Sequence, residues 1–389
     1  MDLRDLRARR WRPDLVAPPR QYWSPAGRYR AEVRAETRQP GETFNGVKTE
    51  VAIAGATTWG TTLGIHLARK DVRALLLVRD ADEARRLALS RSHQRLPGVT
   101  LPDNLALSAD PSSLAGVGLL IFAVPAQSMR ANLRRLAPHI GPATLVAHVA
   151  KGLEQESCKR MSEVIGDELG FGRVPGIAAI SGPNLAAEIA AGLPATTVVA
   201  SSDDAAARTV QDVLMSPMFR AYTNPDIIGV ELGGSLKNVV ALGAGLVDGL
   251  QLGNNAKAAY VARGLAEITR LGVTAGADPL TFQGLSGLGD LVATCYSPLS
   301  RNRRVGEQLA LGRPLDQILA ETGGVAEGVA TVPAARTLAL RNGVEMPITE
   351  QAHAVLFEGR PPLDALRRLL EREPRPELWG AAPSNAASQ

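Results

Sequence analysis

The segment Gly55-Ala56-Thr57-Thr58-Trp59-Gly60 joins a short apolar run, Glu50 to Ala54, to a helical stretch that ends near Arg69. A glycine-bearing turn between a strand and a helix is the usual cradle of a dinucleotide pyrophosphate. Its first glycine makes the tight turn, its second lets the backbone approach the phosphates, and its third lets helix and strand pack. The helix N-terminus adds amides and a positive dipole end. Thr57 occupies the place of the second glycine. Its Cβ either pushes the pyrophosphate outward or its hydroxyl hydrogen-bonds to it. Further on, Arg79 and Asp80 end the next apolar run, Ala74 to Val78. An acid there takes the ribose, and an arginine there pairs with a 2′-phosphate, which favours NADPH over NADH. Arg85 and Arg86 stand close by to assist. His66, His93, His139, His148 and His353 have no metal-ligand spacing, and Cys158 and Cys295 are too few for a cysteine-rich zinc module, so no metal is expected.

The elements that must position these residues follow from the apolar pattern. Strands are expected at Glu50 to Ala54, Ala74 to Val78, Gly118 to Val124, Thr144 to Val149 and Gly176 to Ile180, separated by helices such as Asp82 to Ser90 and Ser128 to Leu136. Alternating strands and helices predict a parallel sheet covered on both faces. After about Asp226 the strand pattern stops. Glu231 to Leu250, Ala256 to Leu271, Ser300 to Leu311, Leu315 to Glu321, Val332 to Arg341 and Leu363 to Leu370 read as helices. The fold class is therefore α/β, a Rossmann-type doubly wound sheet followed by an all-helical C-terminal domain. The expected division is a basic, Pro-rich, disordered extension at 1–46, a dinucleotide-binding domain at 47–226, a helical domain at 227–372 and a loose tail at 373–389.

Composition narrows the function classes. Apolar residues make up 45% of the 389, enough to bury a core in most of the chain. Aromatic residues make up only 4%, which argues against a base-stacking surface. The net charge of +4 is local: residues 1–46 carry 10 Arg against 6 Asp plus Glu, and the remainder balances. The basic character thus belongs to the extension, and no nucleic-acid partner is expected. The extension lacks the apolar stretch of a secretory signal and carries too many acids for a transit peptide. It holds a candidate helical turn at Asp5 to Trp11 and three aromatics, Trp11, Tyr22 and Trp23, that could dock on the body or on a partner. No apolar run reaches the ~18 residues of a membrane span, the longest lying around Val117 to Ala126. Two cysteines fit a reducing, cytoplasmic compartment.

A series of further motifs resembles the bacterial NAD(P)-dependent glycerol-3-phosphate dehydrogenases over about residues 49 to 360. It runs through Leu96-Pro97-Gly98-Val99-Thr100-Leu101-Pro102, Ala123-Val124-Pro125, Ala150-Lys151-Gly152 and Ser181-Gly182-Pro183-Asn184. It continues in Gly229 to Val239, Gly253 to Ala259, Gly287 to Cys295, Ser300 to Arg304, Glu327-Gly328-Val329 and Gly343 to Ile348. The order and spacing of these blocks carry the resemblance; each alone is weak.

The resemblance implies reduction of dihydroxyacetone phosphate to sn-glycerol 3-phosphate by NADPH or NADH, a step of glycerophospholipid synthesis. Hydride enters the carbonyl carbon, charge develops on the oxygen, and a positioned acid lowers the barrier by ~10²–10⁴-fold. By the match, Lys237 is that acid, and the base of the reverse reaction. Asp290 pairs with it and aims it, Asn238 bonds substrate or Lys237, and Lys151 polarises the carbonyl. Ser300, Arg301 and Asn302 supply donors that suit a phosphate. Gly182, Asn184 and Thr294 fall at substrate positions. Thr58, Trp59, Arg79, Lys151, Ala186, Arg301, Val325 and Glu327 fall at cofactor positions. The resemblance also implies a homodimer. Two other readings stand beside it: a divergent relative that reduces a different small phosphorylated ketone, and a non-catalytic nucleotide-binding protein. Thr57 speaks for both, and the retained lysines Lys151 and Lys237 speak against the second.

Overall fold

Eight short strands build one sheet: β1 (Val51–Ala54), β2 (Ala74–Leu77), β3 (Leu105–Ser108), β4 (Leu119–Phe122), β5 (Leu145–His148), β6 (Ile177–Ser181), β7 (Ala195–Ala200) and β8 (Phe219–Asn224). Their order across the sheet is β3-β2-β1-β4-β5-β6-β7-β8. The computed structural model describes residues 50–322 and 325–377. The extension at 1–46, with its candidate turn at Asp5 to Trp11 and Trp11, Tyr22 and Trp23, lies outside the described residues, as do residues 378–389 of the tail. All the described residues belong to one structural unit.

β1 to β6 run parallel, with order reversal between β1 and β4 opening a crevice at their carboxyl ends. β1 is buried on both faces. Val51 and Ile53 pack with Leu63, Ile65 and Leu67, while Ala52 and Ala54 pack with Met129, Leu133 and Leu136. A strand covered on both sides reads as a continuous apolar run, which is why these strands are visible in the sequence.

The expected all-parallel sheet is corrected at its far edge. β7 pairs antiparallel with β6, and β8 runs parallel to β7. The link between β6 and β7 holds only the five-residue helix Ala186–Ala190. That link, residues 182–194, is at the short limit for a parallel crossover, which usually takes a dozen or more residues and a full helix, and the chain returns antiparallel instead. β3, β7 and β8 lie outside the strands expected from the sequence.

The helices around the sheet are α1 (Thr58–Arg69), α2 (Ala81–Ser90), α3 (Met129–Leu136), α4 (Met161–Leu169), α5 (Ala186–Ala190) and α6 (Asp204–Leu214). Past Asp226 no strand occurs among the described residues. The chain continues as α7 (Ile227–Gly249), α8 (Gly253–Thr274), α9 (Asp290–Tyr296), α10 (Arg301–Ala310), α11 (Leu315–Thr322), α12 (Glu327–Arg341), α13 (Pro347–Phe357) and α14 (Pro362–Leu370). α7 is the axis of this half. A Cβ on its Gly245 would lie 1.9 Å from the Arg303 carbonyl oxygen, so α10 packs directly on its backbone. At 23 residues and a mean hydropathy of 1.3, α7 is long and apolar enough on average to cross a membrane, although Glu231, Lys237 and Asp248 interrupt its apolar run, and 89% of that window is buried inside the protein. It is a core helix. The described start of the C-terminal tail is tied down: Arg372 pairs with Glu345, as does Arg375 at 2.8 Å.

Candidate active site and dinucleotide cleft

At the β1–α1 turn the first and last glycines have physical reasons. Gly55 has φ +114, and a Cβ there would sit 2.7 Å from the Ala123 carbonyl oxygen. A Cβ on Gly60 would sit 2.1 Å from the Gly55 oxygen. Thr57 has a role within the protein that the sequence does not suggest. It is the N-cap of α1, its Oγ1 accepting from Gly60 N at 3.0 Å and donating to Ala123 O at 2.8 Å. The hydroxyl's proton is committed to the protein, and the residue ties α1 to the end of β4. Thr58 opens the helix proper. Trp59 lies with its ring edge-on to Phe219, centroids 6.4 Å apart, and its buried Nε1 has no hydrogen-bond partner among the described residues.

In front of this turn lies a cleft of ≈ 470 Å³, a volume suited to a small cofactor. Gly55, Thr57 and Arg79 line it, together with Arg86, His93, Arg95 and Arg135. Of these, Arg95 and Arg135 escaped the sequence reading, because nothing local marks a surface arginine as facing a cleft. Arg79 is exposed, with Nε donating to Asp80 Oδ2 at 3.0 Å. Asp80 also caps α2 by accepting from Glu83 N at 2.8 Å, so its carboxylate is partly engaged.

Ala186, Val325 and Glu327 are not among the residues that line this cleft; Ala186 opens α5, and its carbonyl accepts from Thr62 Oγ1 at 3.2 Å. Val325 is 43% exposed. Glu327 starts α12 and reaches the segment after β4, its Oε1 accepting from Ala126 N at 3.2 Å. Its Oε2 is buried with no hydrogen-bond partner among the described residues. Burial pushes this carboxyl up, against the Ala126 amide and Arg301. A tight glycine turn with no room for side chains and a cleft of this size lined by Arg79, Arg86, Arg95 and Arg135 fit a bound dinucleotide.

Lys151 lies just beyond the carboxyl end of β5, where such sheets present their ligand-binding groups. Its Nζ donates to Gly182 O at 2.7 Å and to Asp290 Oδ2 at 2.7 Å. Lys237, in the middle of α7, pairs with the other oxygen of Asp290 and donates to Thr294 Oγ1 at 2.6 Å. One carboxylate thus sits between two ammonium groups, and all three are largely withdrawn from water. A five-residue π-turn, Leu285–Gly289, delivers Asp290 as the first residue of α9. Burial pushes the Lys237 ammonium down to about 8; Asp290 opposes that and Lys151 adds to it. Lys237 is therefore poised to give or take a proton near neutral pH.

The amides are arranged differently. Asn238 does not bond Lys237; its Nδ2 donates to Lys151 O at 3.0 Å, and its Oδ1 accepts from Asn302 Nδ2 at 2.8 Å. Asn302 Oδ1 in turn accepts from Gly328 N at 3.0 Å. Asn184 donates to Thr196 O and accepts from Thr197 Oγ1. These three amides each bond within the protein. The Gly182 carbonyl is taken by Lys151. Ser300 caps α10 by accepting from Arg303 N at 3.2 Å. That leaves Arg301, exposed at the start of α10, as the open donor group there. Desolvation and then Arg95 push its pKa down, while Glu327 opposes them, which places all three in one neighbourhood.

The fold and site define a two-part dehydrogenase: a dinucleotide-binding sheet with Lys151 at its carboxyl edge, joined through Asp290 to Lys237 of a helical unit. Residues 50–207 match the family described as the NAD-dependent glycerol-3-phosphate dehydrogenase N-terminus, and residues 226–367 match its C-terminus. The glycerol-3-phosphate dehydrogenase [NAD(P)+] of Moorella thermoacetica is 48% identical over 328 residues, 84% of this chain and 97% of that one. That of Streptomyces avermitilis is 46% identical over 330 residues, 84% and 98% of the two chains. The crystal structure of glycerol-3-phosphate dehydrogenase from Coxiella burnetii superimposes with a TM-score of 0.80 at 38% identity, covering 83% of this chain and 99% of the other. The chain belongs to the NAD(P)-dependent glycerol-3-phosphate dehydrogenase family.

Proposed function

We propose that the chain reduces dihydroxyacetone phosphate to sn-glycerol 3-phosphate with NADPH or NADH, and that Lys237 is its general acid. The observation that carries the assignment of Lys237 is the carboxylate of Asp290 held between the Lys151 and Lys237 ammonium groups. Reduced nicotinamide, when bound, supplies the hydride that enters the carbonyl carbon.

The protein's own part is binding, orientation and proton transfer. Lys237 holds a proton at Nζ and gives it to the carbonyl oxygen as charge develops there; in the reverse direction it takes that proton from the alcohol. Asp290 fixes the direction of Lys237. Lys151 faces the same carbonyl oxygen and polarises it. Arg301 binds the phosphate, with Ser300 fixing the start of α10 beside it. The turn from Gly55 to Gly60 receives the pyrophosphate, Glu327 and Trp59 offer their unpartnered atoms to the cofactor, and Arg79 selects the 2′-phosphate. The bonds of Thr57 to Ala123 and Gly60 give it a structural role compatible with this reading. The homodimer and the cytoplasmic setting belong to the same proposal, and light scattering on the purified chain decides the first.

The test is turnover of purified protein with dihydroxyacetone phosphate and either reduced nicotinamide, followed by loss of their absorbance. Rapid oxidation that disappears with unphosphorylated dihydroxyacetone supports the reading. Absence of turnover with retained NADPH binding overturns the substrate.

A further inference from the structure

A second buried ionic group lies between the sheet and α7, away from the substrate residues. Glu231 is 5% exposed and sits in the first turns of α7. Its Oε2 accepts from Arg160 Nη1 at 2.6 Å and Ser162 Oγ at 2.5 Å; its Oε1 accepts from Ser162 N at 2.7 Å. The same Oε1 lies 3.0 Å from Nε2 of His148, the last residue of β5, which is 1% exposed; this is a close polar contact rather than an aligned hydrogen bond, and neither ring nitrogen has a hydrogen-bond partner among the described residues. Burial alone would push Glu231 up, yet His148 and Arg160 hold it down to about 2, so it carries charge at neutral pH.

This group is linked to the lysines through the chain. His148 precedes Lys151 by three residues. Glu231 precedes Asn238 by seven, and Asn238 donates to the Lys151 carbonyl. Seven residues are two turns, so Glu231 and Asn238 share one face of α7. Seven helical residues rise ~10.5 Å, and three residues leaving a strand reach up to ~10 Å, so the two grips are commensurate. α7 is thereby clamped at two points onto the segment that carries Lys151, and Lys237 stands beside the second.

We propose that Glu231 and His148 are positioning residues: their contact, together with the Asn238–Lys151 bond, sets the register of α7 against the exit of β5 and so the spacing of Lys237 from Lys151. Neither touches substrate. Ionic contacts buried in an apolar surround are the sort that fix one register over its neighbours. The inference rests on the proposed roles of the two lysines.

His148→Leu tests it, since it removes the contact while Glu231 keeps Arg160 and Ser162; Glu231→Gln also removes one of the two carboxylate partners of Arg160, the other being Glu163, and serves only as a second variant. His148→Gln restores an amide donor near the Nε2 position. Misplacement on the ångström scale lowers rates by up to ~10²-fold, so His148→Leu should reduce kcat with dihydroxyacetone phosphate between ~10- and ~100-fold. Its dissociation constant for NADPH should stay within about twofold, because the cofactor turn is on other elements. Its pH profile should move as well. The charges facing Lys237 are Asp290 and Lys151, with the Cys295 thiol beside them. Lys151 depresses Lys237, so a receding Lys151 should shift the alkaline limb of reduction upward. His148→Gln should recover most of the rate and the wild-type profile. A lower melting temperature with kcat and profile intact would overturn the proposal, as would equal losses in kcat and NADPH affinity. Inactive wild-type enzyme assayed in parallel would instead mark failure of the substrate assignment.

Discussion

Asp290→Asn is the perturbation that probes the buried lysine pair most sharply. The side chain is 3% exposed and bridges Lys151 and Lys237, and asparagine keeps its shape while removing its charge. An opposite charge at contact distance shifts a partner's pKa by ~1–3 units. Taking ~2 units, the Lys237 ammonium would fall from about 8 to ~6 in the variant. At pH 7.5 its protonated fraction then drops from ~0.76 to ~0.03, a loss of about 25-fold in the reductive rate. At pH 6.5 the same shift costs only ~4-fold, because wild type is nearly fully protonated and the variant is about a quarter protonated. The deficit should therefore narrow as pH falls and widen as it rises. Initial rates of NADPH oxidation across pH 6.5 to 8.5 decide this, with circular dichroism confirming that the variant is folded at each pH. A deficit of constant size would mean that Asp290 acts by geometry alone. No deficit would refute its role.

Three further outcomes follow from the same geometry. Lys237→Ala should lower kcat by ~10²–10⁴-fold while leaving the NADPH dissociation constant within about twofold; retained turnover removes Lys237 from catalysis. Thr57→Gly loses the α1 cap and the bond to Ala123, and should destabilise by ~1–2 kcal/mol in thermal or urea unfolding without tightening NADPH binding. Tighter binding would show that the threonine obstructs the pyrophosphate after all. Arg79→Gln should raise KM for NADPH by roughly tenfold and leave KM for NADH unchanged; a parallel rise in both would assign Arg79 to the shared part of the cofactor.

What the sequence reveals here is what short-range pattern encodes. β1, β4 and β5 are buried on both faces, and their unbroken apolar runs are readable without any tertiary knowledge. The turn from Gly55 to Gly60 is local too, and both end glycines prove to be places where no side chain fits. β7 and β8 escape because they lie toward the far edge of the sheet, where β7 pairs antiparallel with β6 and breaks the strand–helix alternation. β8 alternates between buried and exposed positions and carries Arg220, Tyr222 and Thr223 on an edge. The intraprotein partners of the amides are not legible in the sequence. Those of Asn184, Asn238 and Asn302 lie 12 to 87 residues away, on β7 for Asn184 and where α7 meets the sheet and α10 for the other two. Glu231 and His148 are invisible for the same reason: each is an ordinary residue until the fold buries them against each other.

Transfer of the proton by Lys237 is the step on which the proposed chemistry turns. The pH dependence of kcat/KM in both directions probes it, on wild-type enzyme above pH 7, where the substrate phosphate is fully ionised. Values for free enzyme report the unliganded lysine. Reduction needs the ammonium and should fall as pH rises through about 8; oxidation of glycerol 3-phosphate needs the free amine and should rise through the same value. Mirror-image limbs that both vanish in residual Lys237→Ala activity would uphold Lys237 as the acid. Limbs that run in the same direction, or that persist in Lys237→Ala, would contradict it and move the proton to another group.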